Sequence, residues 1–405
     1  MRTHVAGQHQ TFSSEGISAF SNPLDRWALR QIRSAVGAAP IRLLLWDGFQ
    51  SAPGDDSSVG SIVFRNRKAL FSCVRDPELN FGETYMFGAV EVRGDLVAVL
   101  EALYLALHGS KPRPWSRLWQ QSNGVGQAKE HVHHHYDLGN DFYRLWLDRE
   151  MVYTCAYFPT PDASLEDAQI AKMERICRKL RLQPGERVAE AGCGWGSLAL
   201  HMAKQHGVTV TAFNLSSEQI DYARHRAQQE GVADRVEFVN DDYRNLRGTY
   251  DVFVSVGMLE HVGLADFHTF GRVIDRTLHS DGRGLLHFIG RDRPTPLNPW
   301  IRKRIFPGAY PPTLREVAEG VLEPQNLSVV DVENLRAHYA KTLEHWRQRF
   351  TAAAPDVTRM SNATFARAWD LYLAGSQAAF TTGWMQLFQI VFVRGESRRV
   401  TWARV

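Results

Sequence analysis

A chain of 405 residues is longer than one ordinary core supports, so two domains are the default. Its 44% hydrophobic and 22% charged residues are those of a folded globular protein, and a net charge of +3 makes no compositional case for nucleic acid. The apolar runs all fall short of the roughly 18 residues that a membrane-spanning helix needs.

Residues 1–18 are polar and lack the apolar centre of a signal peptide, so they read as a flexible N-terminus of a cytoplasmic protein. The four cysteines, Cys73, Cys155, Cys177 and Cys193, are scattered with no CxxC pair and no zinc spacing, which suits a reducing compartment. Residues 19–108 read as a smaller α/β domain. Ile41–Trp46 is a predicted strand, a Gly/Ser/Asp-rich turn follows, and a second strand lies near Ile62–Phe64. LNFGETYMFGAVEVRGD reads as a glycine-punctuated strand that runs into an apolar helix from Asp95. The Pro/Gly/Ser/Gln-rich stretch 109–127 reads as a linker.

From residue 128 to 405 strand and helix signals alternate, which implies a parallel sheet with helices on both faces. Strands are expected at Val188–Ala191, Val208–Phe213, Val236–Val239, Val252–Val256 and Gly284–Ile289. Helices are expected at Ser217–Glu230 and Ala265–Leu278. LSVVDVENL and LFQIVFVRGE read as an antiparallel pair closing one sheet edge. Between the first two strands stands GCGWG, with Gly192, Gly194 and Gly196. Such a turn lets a ligand approach the backbone and opens a helix with free N–H groups.

NAD, FAD and S-adenosylmethionine all use a turn of this kind, and three details favour the last. The turn is not G-x-G-x-x-G. Glu190 stands in the strand, two positions before the first glycine. The second strand ends at Asn214, where an NAD enzyme would want an acid, and Asp241 and Asp242 follow the third strand.

The chain resembles the cyclopropane-fatty-acyl-phospholipid synthases over nearly its whole length. HYDLGNDFYRLWLD (135–148) and YTCAYF (153–158) match the family's first catalytic-domain segment, AGCGWGSLA its cofactor loop and SVGMLEHVG (255–263) its catalytic loop. LLHFIG (285–290) matches the following strand, NPWIRKRIFPGAYPPTL (298–314) a lid, and HYAKTLEHWRQRF (338–350) the segment with its tyrosine. FGETYMFGAVEVRGDL (81–96) matches the separate N-terminal domain of the phospholipid-acting type. The resemblance implies an α/β fold, a Rossmann-like class I methyltransferase sheet with a smaller N-terminal α/β domain.

An alkene is a poor nucleophile, so the donor must be strongly electrophilic, and a sulfonium meets that need. Attack leaves a carbocation, and ring closure removes a proton from the transferred methyl. The site therefore needs dry walls, aromatic faces such as Tyr153, Tyr157 and Phe158 that tolerate a cation, and a base. The resemblance implies a bound bicarbonate ion as that base, held by Cys155, Glu260, His287, the Ile289 N–H and Tyr339. Glu260 and His287 are expected to titrate as a coupled pair. Cys155 is given no nucleophilic role. Cofactor contacts carry over to Tyr153 and Thr154 at the amino-acid tail, Glu190 with Gly192, Gly194 and Gly196 at the loop, Asn214 and Gln219 toward the ribose, and Asp242 on adenine.

HVHHH (His131, His133, His134, His135) is not read as a metal site, because consecutive histidines rarely converge on one ion. Two basic runs, Arg291, Arg293, Arg302, Lys303 and Arg304, and Arg394, Arg398, Arg399 and Arg404, read as solvated surface or as attraction to anionic lipid at about 1 kcal/mol per residue. The expected partner is a phospholipid bilayer with unsaturated acyl chains, met from the cytoplasmic side by a peripheral enzyme whose partly apolar lid lies around Ile305–Pro312. Relatives of this type are often homodimers. Near the C-terminus Ser376, Thr381, Thr382 and Gly383 replace a cysteine and a basic stretch found in relatives, which leaves open methylation of an acyl alkene without ring closure.

Overall fold

The computed structural model describes residues 20–51, 57–107 and 139–397. The predicted flexible terminus, the linker, the histidine run and the last basic residues lie outside the described residues.

The N-terminal unit begins with helix α1 (Pro23–Val36), started by a capping box in which Asn22 and Asp25 satisfy each other's backbone N–H. Strands β1 (Ile41–Leu44) and β2 (Gly60–Phe64) pair in parallel, and β3 (Val90–Gly94) adds antiparallel to β2. Helices α2 (Arg67–Arg75), α3 (Pro77–Met86) and α4 (Leu96–Leu107) complete it. Helix α3 corrects the sequence reading, which makes part of this segment a strand. Asp76 caps Leu79 N–H and Pro77 occupies the first turn, a start signal that outweighs the β-like run of aromatics and glycine.

The larger unit holds a seven-stranded sheet in the order β6-β5-β4-β7-β8-β10-β9. Its strands are β4 (Arg187–Ala191), β5 (Thr209–Asn214), β6 (Val236–Asn240), β7 (Tyr250–Val256), β8 (Leu278–Gly290), β9 (Leu327–Asn334) and β10 (Gln386–Arg394). The first five run parallel, and β10 lies antiparallel between β8 and β9, so the expected antiparallel edge pair is present. Helices α5 (Asn140–Arg144), α6 (Leu165–Leu180), α7 (Ser197–His206), α8 (Ser217–Gln229), α9 (Leu259–Val262), α10 (Phe267–Thr277), α11 (Pro299–Arg304) and α12 (Leu314–Val317) connect these strands. Between β9 and β10 come three helices that the sequence reading leaves unassigned: α13 (Arg336–Ala352), α14 (Ala354–Met360) and α15 (Ala363–Thr381). They roof the carboxyl ends of the strands, where open α/β sheets bind ligands.

The two units share one apolar cluster. Tyr85, Met86, Leu96, Val97 and Leu100 of the first pack with Trp146, Trp346, Trp369 and Phe380 of the second. Polar contacts fix the seam. Glu83 takes a two-pronged ion pair from Arg304 at 2.7 Å per prong, with Lys303 at 3.6 Å. Arg367 donates twice to the Tyr85 carbonyl, at 2.9 and 2.7 Å. Two of the five cations of the 291–304 run are taken up by the fold, while Arg293 and Lys303 stay exposed. Arg304 is spent on Glu83, and Arg291 is buried, donating to the Thr295 and Pro296 carbonyls. The expected lid also packs inward. Ile305, Ala309, Pro311 and Pro312 are buried, and Tyr310 N–H donates to the Glu260 carbonyl at 2.8 Å.

Candidate active site

The functional side chains stand where strands end. Glu190 lies in β4, Asn214 ends β5, Asp242 follows β6, Glu260 follows β7, and His287 and Ile289 lie near the end of β8. A cleft of about 130 Å³ lies over this edge, lined by Tyr153, Thr154, Lys172, Glu190, Gly192, Gly194, Asn214, Gln219 and His261 among others. Of the sequence-predicted cofactor residues, Gly196 and Asp242 are outside that lining.

Backbone geometry explains the glycine turn. Gly192 and Gly196 sit at φ +84° and +83°, and a Cβ would meet Met258 at 2.8 Å in the first case and Phe238 at 2.7 Å in the second. Only glycine satisfies both demands. The 139–144 segment clasps this turn. Trp195 Nε1 donates to Asn140 Oδ1 at 2.6 Å, and Asn140 N–H donates to Glu218 Oε1 at 2.8 Å. Asn214 donates to Gln219 Oε1 at 2.6 Å and to the Gly194 carbonyl at 3.2 Å. Glu190 Oε2, Gln219 Nε2 and Asp242 Oδ2 are buried with no hydrogen-bond partner among the described residues. Each such atom costs about 1–3 kcal/mol, so the three form a set of valences that a polar ligand would repay.

Beside the cleft, Glu260 Oε1 accepts from the Ile289 N–H at 2.5 Å while Oε2 is buried without a partner. That N–H is therefore given to Glu260 and does not stand open for an anion as the sequence reading has it. Burial raises the Glu260 carboxyl to about 7, against the pull of the same N–H. His287 pairs in register with Gln389 across β8–β10, and the Gln389 amide nitrogen lies 3.0 Å from its Nδ1. With that amide donating, the other ring nitrogen, Nε2, carries the proton. Nε2 is buried and unpartnered. Burial holds the imidazole well below its ordinary value, helped by Lys172 and Lys179, so it is neutral. Burial is the leading cause of the shift in both Glu260 and His287.

Cys155 is fully buried, its thiol donating to the Ala156 carbonyl at 3.1 Å, and burial pushes its pKa far up. That is the state of an inert thiol. Tyr339 is buried on α13, its ring 4.5 Å from Phe380 and 6.0 Å from Trp346. Of the three aromatics expected to face a cation, Tyr153 alone lines the cleft, hydroxyl to hydroxyl with Tyr372 at 2.8 Å. Tyr157 stacks on His338 and carries the Arg175 guanidinium 4.5 Å over its ring, and Phe158 stacks on His345. Their faces are already used.

A match to the family model described as mycolic acid cyclopropane synthetase covers residues 125–390. The chain belongs to this family. A model of a domain of unknown function matches residues 28–110. The cyclopropane-fatty-acyl-phospholipid synthase of Escherichia coli (strain K12) is 43% identical over 97% of this chain and 100% of its own. A probable fatty acid methyltransferase of Pseudomonas putida is 36% identical over 88% of this chain and 92% of its own. Among solved structures, the cyclopropane synthase MmaA2 from Mycobacterium tuberculosis superposes with a TM-score of 0.63 at 30% identity, covering 66% of this chain and 98% of that one. Mycolic acid cyclopropane synthase CmaA1, solved with SAH and CTAB, gives 0.63 at 29%, with 66% and 98% covered. Full-length similarity at this level makes the protein an enzyme of the methyltransferase class.

As a member of this family the protein has the S-adenosylmethionine fold, and the unpartnered polar atoms of the cleft fit that cofactor. The sequence reading misses Lys172. It is buried on α6, donates to Thr154 Oγ1 at 2.9 Å and lies within electrostatic reach of Asp148, Cys155 and Glu190. Desolvation lowers it to about 8 and raises Asp148 to about 6 and Glu190 to about 8. The missed signal is periodicity. A lysine at the core-facing position between Ala168 and Ile176 needs a reason to be inside. Gln389, a polar break in the apolar run LFQIVFV, carries the same kind of signal.

Proposed function

We propose that the protein transfers a methylene group from S-adenosylmethionine to the cis double bond of unsaturated acyl chains of membrane phospholipids, forming a cyclopropane ring, with bicarbonate as the base. The observation that carries the reading is that Glu260 Oε2 and His287 Nε2 are both buried and unpartnered near the ends of β7 and β8, in a unit whose core is rich in aromatic rings. S-adenosylmethionine supplies a methyl carbon electrophilic enough for an alkene, and bicarbonate supplies the base that ring closure requires.

The protein's own share is placement and dryness. Tyr143, Trp146, Tyr153, Trp346 and Trp369 pack at ring separations of 5.2–6.5 Å and exclude water. Glu260 would accept the bicarbonate O–H at Oε2, His287 would donate from Nε2, and Tyr339 would add a hydroxyl. Lys172 offsets negative charge next to the site. Gly192, Gly194, Asn214, Gln219, Tyr153 and Thr154 would hold the cofactor, with Asp242 on its adenine. The Escherichia coli relative, similar over its entire length and named for a phospholipid substrate, supports phospholipid as substrate, and peripheral work at the inner face of the membrane is part of the same proposal. No described helix is long and apolar enough to cross a membrane. A homodimer is part of the same reading.

A second reading is fatty-acyl C-methylation without ring closure. It is favoured by the Pseudomonas putida relative and by Ser376, Thr381, Thr382 and Gly383 in the roof helix and the turn after it. Product analysis separates the two. The protein is incubated with S-adenosylmethionine, bicarbonate and vesicles of mono-unsaturated phospholipid, and the acyl chains are examined by mass spectrometry and NMR. Cyclopropane protons on a chain one methylene heavier support the first reading. The same mass gain with a retained alkene and a new methyl signal replaces it with the second.

A further inference from the structure

Helices α6 and α7 pack side by side behind the sheet, away from the strand-end cleft, and their contact gathers residues that the sequence holds far apart. Cys177 of α6 and His201 and His206 of α7 bring one ligand atom each to within 4.8 Å of one another. Glu174, one turn before Cys177, borders the group on its histidine side. Its Oε2 lies 3.3 Å from His201 Nε2 and 3.0 Å from His206 Nε2. Arg178 approaches its other oxygen only at 3.8 Å.

We infer that Glu174, Cys177, His201 and His206 form a binding site for a zinc-like divalent transition-metal ion. The donor set is thiolate, two imidazoles and a carboxylate, the mixture that borderline-soft d-block ions prefer. Ligand atoms at about 2.0–2.2 Å from a tetrahedral centre stand roughly 3.3 Å apart. The two imidazole–carboxylate spacings already have that length. Cys177 Sγ lies within 4.8 Å of a nitrogen of each imidazole, so a shared ion would draw the sulfur and the two rings closer together. Cys177 is fully buried, while Glu174 keeps 37% of its side chain exposed, so the site has a closed floor and an open mouth. Binding releases the Cys177 proton and replaces the N–H···O contacts of the two histidines with metal–ligand bonds. The ion would tie α7, which opens at the cofactor turn, to α6, which carries Lys172. The inference is independent of the reaction assigned above.

Full-length protein stripped with a chelator is titrated with Co²⁺ alone, then with Zn²⁺, and followed by absorption and by thermal melting. The expected result is a single cobalt ion with tetrahedral d–d bands and a thiolate-to-cobalt charge-transfer band. Zn²⁺ should bleach both and raise the melting temperature. Cys177→Ser should abolish the charge-transfer band. His206→Gln, at the partly exposed end of α7, tests the site without touching the core. Losing an outer-shell partner costs about 10–100-fold in metal affinity, so losing a ligand should cost at least tenfold. Replacing His131, His133, His134 and His135 by glutamine should leave the band in place. Absence of a thiolate band at one equivalent overturns the proposal. So does a band unchanged in position and affinity in His206→Gln, or one lost only with the histidine run.

Discussion

Replacing Glu260 by glutamine should make the protein slower and, above neutral pH, more stable. The carboxyl is sealed from water, and burial lifts it from 4.5 to about 7. At about 1.4 kcal/mol per pH decade, that displacement is worth roughly 3 kcal/mol in favour of the protonated form. Between pH 4.5 and about 7 the folded protein keeps a proton that the unfolded chain has released. The stabilising contribution is therefore complete below 4.5 and is lost as the pH rises through about 7. Glutamine is neutral at every pH, and its oxygen can still accept from the Ile289 N–H. Parent and variant should melt together at acid pH. At pH 8 the variant should melt higher by up to about 6 °C, taking roughly 2 °C per kcal/mol for a unit of this size. Turnover on unsaturated phospholipid vesicles should fall about 10²–10⁴-fold, the usual worth of a positioned acid–base group. Calorimetric titration should find cofactor affinity unchanged. A variant that melts below the parent at pH 8, or that keeps parental turnover, would refute the reasoning.

Lys172→Met removes the buried cation near Asp148 and the bond to Thr154, so it should destabilise the fold by about 1–3 kcal/mol, and an unchanged melting temperature would argue against the cluster. The Glu83–Arg304 pair is partly exposed, so a double-mutant cycle with Glu83→Gln and Arg304→Gln should yield a coupling of about 0.5–1 kcal/mol in urea unfolding, whereas strict additivity would deny the contact. With every cysteine buried and every thiol raised by that burial, iodoacetamide at pH 8 should label the folded protein far more slowly than the urea-unfolded chain, and rapid labelling of Cys155 would restore it as a nucleophile candidate. Leu24 and Trp27 stand 57% and 46% exposed on α1, and if the N-terminal unit meets the bilayer there, Leu24→Ser with Trp27→Ser should weaken vesicle binding about tenfold in a flotation assay, an unchanged partition moving the contact elsewhere.

The parallel sheet is legible because each of its strands is a short run between turn residues, the inner β4 and β7 almost wholly buried and the edge strand β6 alternating. The cofactor turn was legible because three glycines in five residues leave little else to build. What sequence could not give is what depends on two distant segments meeting. Arg304 reads as a surface cation until α3 brings Glu83 against it. The Ile305–Pro312 segment reads as an exposed apolar lid until Tyr310 is seen bonded to the Glu260 carbonyl. Helix α15 is buried on more than one face, from Ala368 and Trp369 through Leu371–Ala374 to Phe380, so no clean polar stripe marks it. Helix α3 hides for the opposite reason, since its aromatics and glycine speak locally for a strand while the Asp76–Pro77 start decides for a helix.

The same dependence on distant partners explains how a site this dry can be chemically capable. An aromatic vault is cheap to build, because each ring contributes apolar burial wherever it lands. Polar groups inside it are not, and the fold admits each one by a hydrogen bond that fixes its direction, from the backbone for Glu260 and from side chains for His287 and Lys172. Ile289 N–H holds one oxygen of Glu260 and so aims the other, Gln389 holds Nδ1 of His287 and so aims Nε2, and Thr154 holds Lys172. For Glu260 and His287 one valence is satisfied by a strand or its ladder neighbour, and the remaining valence is left for a ligand. Removing the holding partner should therefore matter as much as removing the group itself. Gln389→Leu, which touches no substrate, should free the His287 tautomer and shift the pH dependence of turnover, while a change confined to stability would reduce Gln389 to packing.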